Sequence, residues 1–348
     1  TFDDASRALR SGDLFYSPAW FDNLQRHGFV QLPLRHRVAE ETVEGEVQLL
    51  LMRSEAGAHL AAQSNYYSCL YGPTGPSHAL SDSGWHALVT KARALPGSAV
   101  IQLQPLDAAD AWVASLEQAL RGHAYVTFRY FCFGNWYQPV ASGGFAAYWA
   151  DRPSALRHSV ERGRRRLDKA GPWRIDIATC ESDDLEAAIN AYESVYARSW
   201  KQPEPCPGFM PGLIRTAARE GWLRLGVLRL NGEALAAQLW LVHAGKANIY
   251  KLAYVEGVEK LSAGSVLTAT LMEHVMDIDR VNEVDYLSGD DAYKADWMAL
   301  RRERVGLVAF DVFRPAGWLA IARHGAGKLK KRFSGLRAGL MRPFKAET

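Results

Sequence analysis

Long apolar runs are missing from this chain. No stretch reaches the roughly 18 residues that a membrane-crossing helix needs, so the sequence does not read as a transmembrane protein. Cysteine is scarce: Cys69, Cys132, Cys180 and Cys206 show no CxxC spacing and no His/Cys cluster. That speaks against a disulfide scaffold, a structural zinc site or a metal centre, and for a reducing compartment. The start, TFDDASRALRSGDLFYS, lacks the basic–apolar–small pattern of a secretory signal, and a cytoplasmic location is expected. Also missing are GxSxG, HExxH and GxxxxGKS/T, the local signatures of serine hydrolases, zinc proteases and P-loop enzymes. There is no general excess of positive charge. The net charge is +3, but nine Lys/Arg against Glu347 from Arg314 onward give that tail +8, which leaves −5 for the rest. A mildly acidic body argues against a nucleic-acid partner.

What is present is a globular composition, with 48% hydrophobic, 23% charged and 11% aromatic residues over 348 positions. The length suggests about two domains. In the first part, Ser17-Pro18 before AWFDNLQRHG predicts a capped helix ended by Gly28. EGEVQLLLMRS and AHLAAQS read as a hairpin. SGWHALVTKARAL and residues 110–121 read as helices, and SAVIQLQPL and YVTFRYFCFGNWYQPV as strands.

A second unit starts near Gly144. FAAYWADRPSALRHSVERGRRRLDKAG reads as helix, with Arg157, Arg162, Arg164, Arg165, Arg166 and Lys169 forming either a solvated face or an anion-binding lip. Then come strand WRIDIATCES, helix DDLEAAINAYESVYARSW, a Pro-rich loop and a short helix. Three strands follow, joined at Asn231-Gly232 and Ala244-Gly245. Helix SVLTATLMEHVMDI, strand EVDYLSG, short helix DDAYKADWM and closing strand RRERVGLVAFDVF complete the order.

That order carries a resemblance. Arg198-Ser199-Trp200-Lys201, Gly232 to Gln238, Tyr250-Lys251-Leu252-Ala253-Tyr254, Leu261 to Leu267 and Asp285 to Lys294 stand as they do in the GNAT acyltransferase superfamily. Within it, residues 144–312 resemble the CelD-like, cellulose-biosynthesis branch. The part beginning Ser17-Pro18-Ala19-Trp20 resembles the degenerate first half of tandem-GNAT proteins such as the FemABX peptidyltransferases. The resemblance implies an α/β fold of mixed α+β character: tandem GNAT-like domains, each with a mixed, mostly antiparallel sheet flanked by helices. It implies a degenerate GNAT-like domain over 1–143, an acyltransferase domain over 144–313 and a basic amphipathic tail over 314–348. One departure stands out. GNAT enzymes carry Gln/Arg-x-x-Gly-x-Gly/Ala before the central helix, whereas Lys260 to Ser265 keeps one glycine of the two.

The expected activity is N-acyl transfer from acyl-CoA or an acyl carrier protein to a small-molecule amine, by direct attack in a ternary complex and with no permanently bound cofactor. Ser262, Ala263, Gly264 and Ser265 precede an apolar helix, where free N–H groups attract a donor phosphate or where serine simply caps. Lys294 is expected to neutralise a phosphate or carboxylate there. The resemblance implies that Tyr293 is the general acid for the leaving thiolate; a phenol is protonated at neutral pH and able to donate. One of Asp290 and Asp291, Asp290 first, is expected as base or orienting group, unless the adjacent acids only balance a helix start. Gln238, a polar residue within LAAQLWLV, is expected to meet substrate if it faces inward. Tyr250 and Tyr254 share one strand face and, with Trp200, are expected to line the acyl channel or to pack. His243 and His274 are bases by chemistry alone.

In the tail, Leu329, Phe333, Leu336 and Leu340 recur at helical spacing among Lys328, Lys330, Lys331, Arg332 and Arg337. That pattern suits an anionic membrane surface or an acidic carrier protein. The alternatives to acyl transfer are a FemABX-like aminoacyl transferase and a non-catalytic GNAT-like binding module in polysaccharide or envelope assembly.

Overall fold

The computed structural model describes residues 12–54, 59–182 and 184–323. One mixed sheet of eleven strands runs through them. Its strands are β1 (Arg35–Thr42), β2 (Gly45–Arg53), β3 (Leu60–Ala62), β4 (Val100–Asp107), β5 (Tyr125–Pro139) and β6 (Trp173–Ala178). They continue as β7 (Leu223–Leu230), β8 (Glu233–His243), β9 (Lys246–Tyr254), β10 (Glu283–Asp285) and β11 (Leu300–Asp311). In space the order is β1-β2-β3-β4-β11-β5-β10-β9-β8-β7-β6. The last strand therefore lies between β4 and β5, antiparallel to both.

Helices α1 (Pro18–His27), α2 (Asp82–Arg93), α3 (Ala111–Gly122), α4 (Gly144–Ala150) and α5 (Ser154–Ala170) precede β6. Helices α6 (Leu185–Ala197), α7 (Phe209–Arg219), α8 (Ala263–Glu273) and α9 (Lys294–Trp297) follow it. Local chemistry sets the ends. Ser17 Oγ accepts from Trp20 N at 3.1 Å and Pro18 takes the first helical position, so α1 starts where the cap predicts, and Gly28 closes it. The expected single helix over 145–170 is instead α4 and α5, because Pro153 disfavours helical backbone at the residue before it. Asn231 and Gly232 both have positive φ, as the tight turn between β7 and β8 requires.

The hydrophobic core is in two layers. On one sheet face, Trp20, Trp85, Val113, Ile189 and Phe209 from α1, α2, α3, α6 and α7 pack with Leu51, Leu103, Leu239 and Leu307. That layer is continuous from the first part of the chain to the last strand. On the other face, Tyr148, Val160 and Leu267 from α4, α5 and α8 pack with Ala236, Trp240 and Ile249. Strand β8 is buried on both faces from Ala234 to Leu241, which is why LAAQLWLV reads as an almost unbroken apolar run. No helix among the described residues is long and apolar enough to cross a membrane. Within the tail, residues 315–323 are helical; the proposed amphipathic positions Leu329 to Leu340 lie outside the described residues.

Candidate functional site: a cleft where two parallel strands part

Strands β9 and β10 are parallel neighbours over three positions only, Lys246, Ala247 and Asn248 opposite Glu283, Val284 and Asp285. Beyond Asn248, β9 continues to Tyr254 with β8 on its other edge. Its β10-side edge is unpaired there, so alternate main-chain N–H and C=O groups face a gap. Strand β10 ends early because Asp285 and Asn135 hold a turn. Leu287 N donates to Asp285 Oδ1 at 2.6 Å, and Asn135 Nδ2 donates to the same oxygen at 2.5 Å and to Leu287 O at 2.9 Å. Leu287 takes φ +54° and Gly289 φ +101°, turning the chain off the sheet. This is also why EVDYLSG is a shorter strand than its alternation predicts.

Asp285 is fully buried, yet charged groups surround it: Arg302 Nη2 at 2.5 Å, Lys246 Nζ at 3.1 Å and Arg304 Nη2 at 3.6 Å. Burial alone would raise its carboxyl. Lys246, Arg302 and Arg304 outweigh that and hold it well below the usual carboxylate range.

The gap opens into a cavity of about 340 Å³. Ile249 to Leu252 form one wall and Tyr286, Leu287 and Ser288 the facing one. Asp291, Tyr293 and Lys294 close one end, Trp200 and Lys201 another, and Tyr66, Tyr67 and Cys69 come from the first part of the chain. Tyr293 is half exposed at the rim, its ring edge-on to Tyr286 with centroids 5.8 Å apart. Burial, then the Asp291 charge, push its phenol up to about 12, so it keeps its proton. Lys294 is buried and donates to Ser288 O at 2.6 Å and Gly289 O at 3.2 Å, with Asp291 Oδ2 at 3.6 Å. Burial lowers its pKa. Lys251 pairs with Glu204 at 2.8 Å and lies over the Tyr66 ring at 4.7 Å. Tyr250 donates to Tyr67 O at 2.8 Å. Cys69 is buried, and burial pushes its thiol up, which makes it a poor nucleophile.

The cleft thus brings together five of the residues singled out from sequence: Tyr293, Lys294, Asp291, Tyr250 and Trp200. Tyr254 stands beside it, packed on Trp200 with ring centroids 4.4 Å apart. A Cβ on Gly264 would lie 3.2 Å from Tyr254, so an aromatic path leads from the rim to the first turn of α8. Ser262, Ala263, Gly264 and Ser265 form that turn and do not line the cavity. Helix α5 packs on them: a Cβ on Gly163 would come within 3.0 Å of Leu261 O and 3.1 Å of Ser262 Cβ, and Arg166 Nη1 donates to Lys260 O.

Gln238 faces inward but is saturated within the protein. Its Nε2 donates to Thr268 Oγ1 at 2.8 Å and Gly264 O at 3.0 Å, and its Oε1 accepts from Trp240 Nε1 at 2.9 Å. It fastens α8 to the sheet. Asp290 lies outside the lining, held by Arg301 at 2.6 Å and Trp136 Nε1 at 2.9 Å; its neighbour Asp291 is the carboxylate on the wall. Both histidines also lie away from the cavity; His243 packs against Trp222 and His274 stands 3.9 Å from Asp279. Tyr66, Tyr67, Cys69, Lys201, Lys251 and Ser288 were not marked as site residues. For Lys201, Lys251 and Ser288 a signal existed, since all three fall inside the stretches that carry the family resemblance. For Tyr66 and Tyr67 none did, since nothing local ties them to a strand edge some 180 residues on.

Residues 154–295 match the family model described as an acetyltransferase (GNAT) domain. No curated protein matches the chain. Among solved structures, the crystal structure of FemX superposes with TM-score 0.64 at 11% identity, over 92% of this chain and 98% of that one. A conserved protein of unknown function from Bacteroides thetaiotaomicron VPI-5482 gives 0.58 at 11% identity, over 89% and 97%. The C-terminal domain of a putative lysylphosphatidylglycerol synthetase from Agrobacterium fabrum gives 0.54 at 13% identity, over 92% and 95%. At these identities the likeness is one of fold.

Proposed function

We propose that the protein is an amide-forming acyltransferase working in the cleft between β9 and β10. The observation that carries this is the parting of two parallel strands after Asn248, which leaves main-chain amides of β9 free beside a cavity that holds Tyr293. The acyl carbonyl rests on those amides, where fixed N–H dipoles meet the charge that develops on oxygen. The acceptor amine, placed by Asp291, attacks the carbonyl carbon directly in a ternary complex. A C–N bond forms, the bond from the acyl carbon to the leaving sulfur or oxygen breaks, and the amine gives up a proton to solvent. Tyr293 O–H supplies a proton to the leaving group. No covalent enzyme intermediate is required, in keeping with the raised Cys69 thiol. Lys294 acts as a positioning residue that holds the Ser288–Gly289 turn off β9. The activated donor, an acyl thioester of CoA or of a carrier protein, approaches along Trp200 and Tyr254 toward Gly264.

One observation favours a second donor. Helix α5 is seated on the α8 turn that a CoA phosphate would use, with Arg166 donating to Lys260 O there, and it exposes Arg162, Arg164, Arg165 and Lys169 to solvent. An aminoacyl ester on tRNA fits such a surface, and the putative lysylphosphatidylglycerol synthetase shares the fold.

Thermal-shift titration with CoA, acyl-CoA and acyl carrier protein, followed by single-turnover assays on charged tRNA, tests the two. Stabilisation by a thioester donor and mass-detected amide product support the first reading. Product from charged tRNA alone supports the second. No response to any donor overturns both and leaves a binding module.

A further inference from the structure

The charges on the cavity wall do not balance. Lys251 has Glu204 at 2.8 Å and Lys294 has Asp291 at 3.6 Å. Lys201 lines the same cavity, and among the described residues no carboxylate lies within ion-pair distance of its ammonium. Among the described residues it lies over the Trp200 ring, whose centroid is 5.7 Å away. The backbone that carries Lys201 is tied down: its main-chain N donates to Ser199 Oγ at 3.3 Å, and Ser199 Oγ donates in turn to Tyr196 O at 2.7 Å. Burial, then the charge of Lys251, lower its pKa, and the more distant Glu204 and Asp291 offset this only in part. A half-buried cation beside like charges costs free energy until an anion joins it. The aromatics Tyr66, Trp200 and Tyr293 line the same cavity and are partly exposed at its rim. Asp291 lines the cavity too, with its side chain 61% exposed and one oxygen free for a cationic partner.

We propose that the acceptor is a zwitterion: its amine faces Asp291, and an oxyanion on the same molecule, a carboxylate or a phosphate, binds Lys201. This rests on the acyl-transfer reading and names its acceptor class, amino acids and aminoalkyl phosphates rather than neutral amines. Lys201 is then the specificity-determining residue of the cleft.

The test is calorimetric titration of the full chain without donor. The probes are amino acids and their amides, and phosphoethanolamine against ethanolamine. The expected result is at least about tenfold tighter binding of an anionic amine over its neutral partner. Lys201→Met should erase that preference and Lys201→Arg should keep much of it, with both variants melting as the wild type does. Which pair shows the preference tells carboxylate from phosphate. Equal binding of neutral and anionic amines, a preference that survives Lys201→Met, or no binding by any probe at millimolar concentration overturns the proposal. Anion preference without product from any donor counts against acyl transfer alone. Product without anion preference counts against Lys201 alone.

Discussion

Lys294 Nζ lies 2.6 Å from the carbonyl oxygen of Ser288, so a buried ammonium supports the turn that carries the chain away from β9. Its reach to Gly289 O at 3.2 Å makes it the common donor to two carbonyls of that turn.

Lys294→Met should therefore leave those carbonyls without a partner and let the turn sag into the cleft. The expected cost is about 1–3 kcal/mol of stability, read by urea denaturation, with turnover falling at least about tenfold. A variant as stable and active as wild type would remove the strut role.

Tyr293→Phe should lower turnover by roughly 10²-fold or more and leave acceptor affinity unchanged. Burial, then the Asp291 charge, push the wild-type phenol up to about 12, so the donating form should persist through the alkaline range and be lost only as pH approaches that value. A basic limb below about pH 10 that disappears in Tyr293→Phe would contradict this.

Asp285 should mark the acid end of the stability curve. Its folded pKa lies below the unfolded value of about 3.9, so on acidification the unfolded chain takes up the proton first. The contribution is complete above roughly pH 5 and is lost as pH falls through the acid range below that. Asp285→Asn strips the compensating charge from Lys246, Arg302 and Arg304. It should cost about 3–5 kcal/mol at neutral pH and flatten the acid limb of the denaturation midpoint. An unchanged limb would assign it to another carboxylate.

Gly163→Val should destabilise by about 1–3 kcal/mol, since the added Cβ meets Val266 Cγ2 at 2.9 Å, Leu261 O at 3.0 Å and Ser262 Cβ at 3.1 Å. Because α5 rests on the α8 turn there, donor affinity should change with it. A stability loss with donor affinity intact would place the donor elsewhere.

Most of the fold was legible in the sequence, because its signals are local. Ser17-Pro18 and Gly28 bound α1, Asn231-Gly232 turns β7 into β8, and the alternation around Val100 and Tyr125 marks β4 and β5. Strand β1 was missed: RHRVAEET has one buried position, Val38, and so no apolar alternation to read. The place of β11 was not legible either, since strand order is a long-range property that RRERVGLVAF does not encode. The candidate site divides the same way. Tyr293 and Lys294 are reached through the family resemblance that the Asp285 to Lys294 stretch carries. The choice of Asp291 over Asp290 on the wall depends on Arg301 and Trp136, which reach Asp290 from β11 and β5. Gln238 shows the limit of reasoning from polarity, as an inward amide in an apolar strand found its partners in Thr268 and Gly264.

The seating of β11 between β4 and β5 also bears on the order of synthesis. When the ribosome has made β5, both that strand and β4 still present open edges, and about 160 further residues must emerge before Leu300 to Asp311 arrives to join them. Unpaired edges of this kind recruit other chains. The nascent protein therefore depends on its last strand to escape aggregation, and a chain stopped short of Leu300 would display a ready template for it.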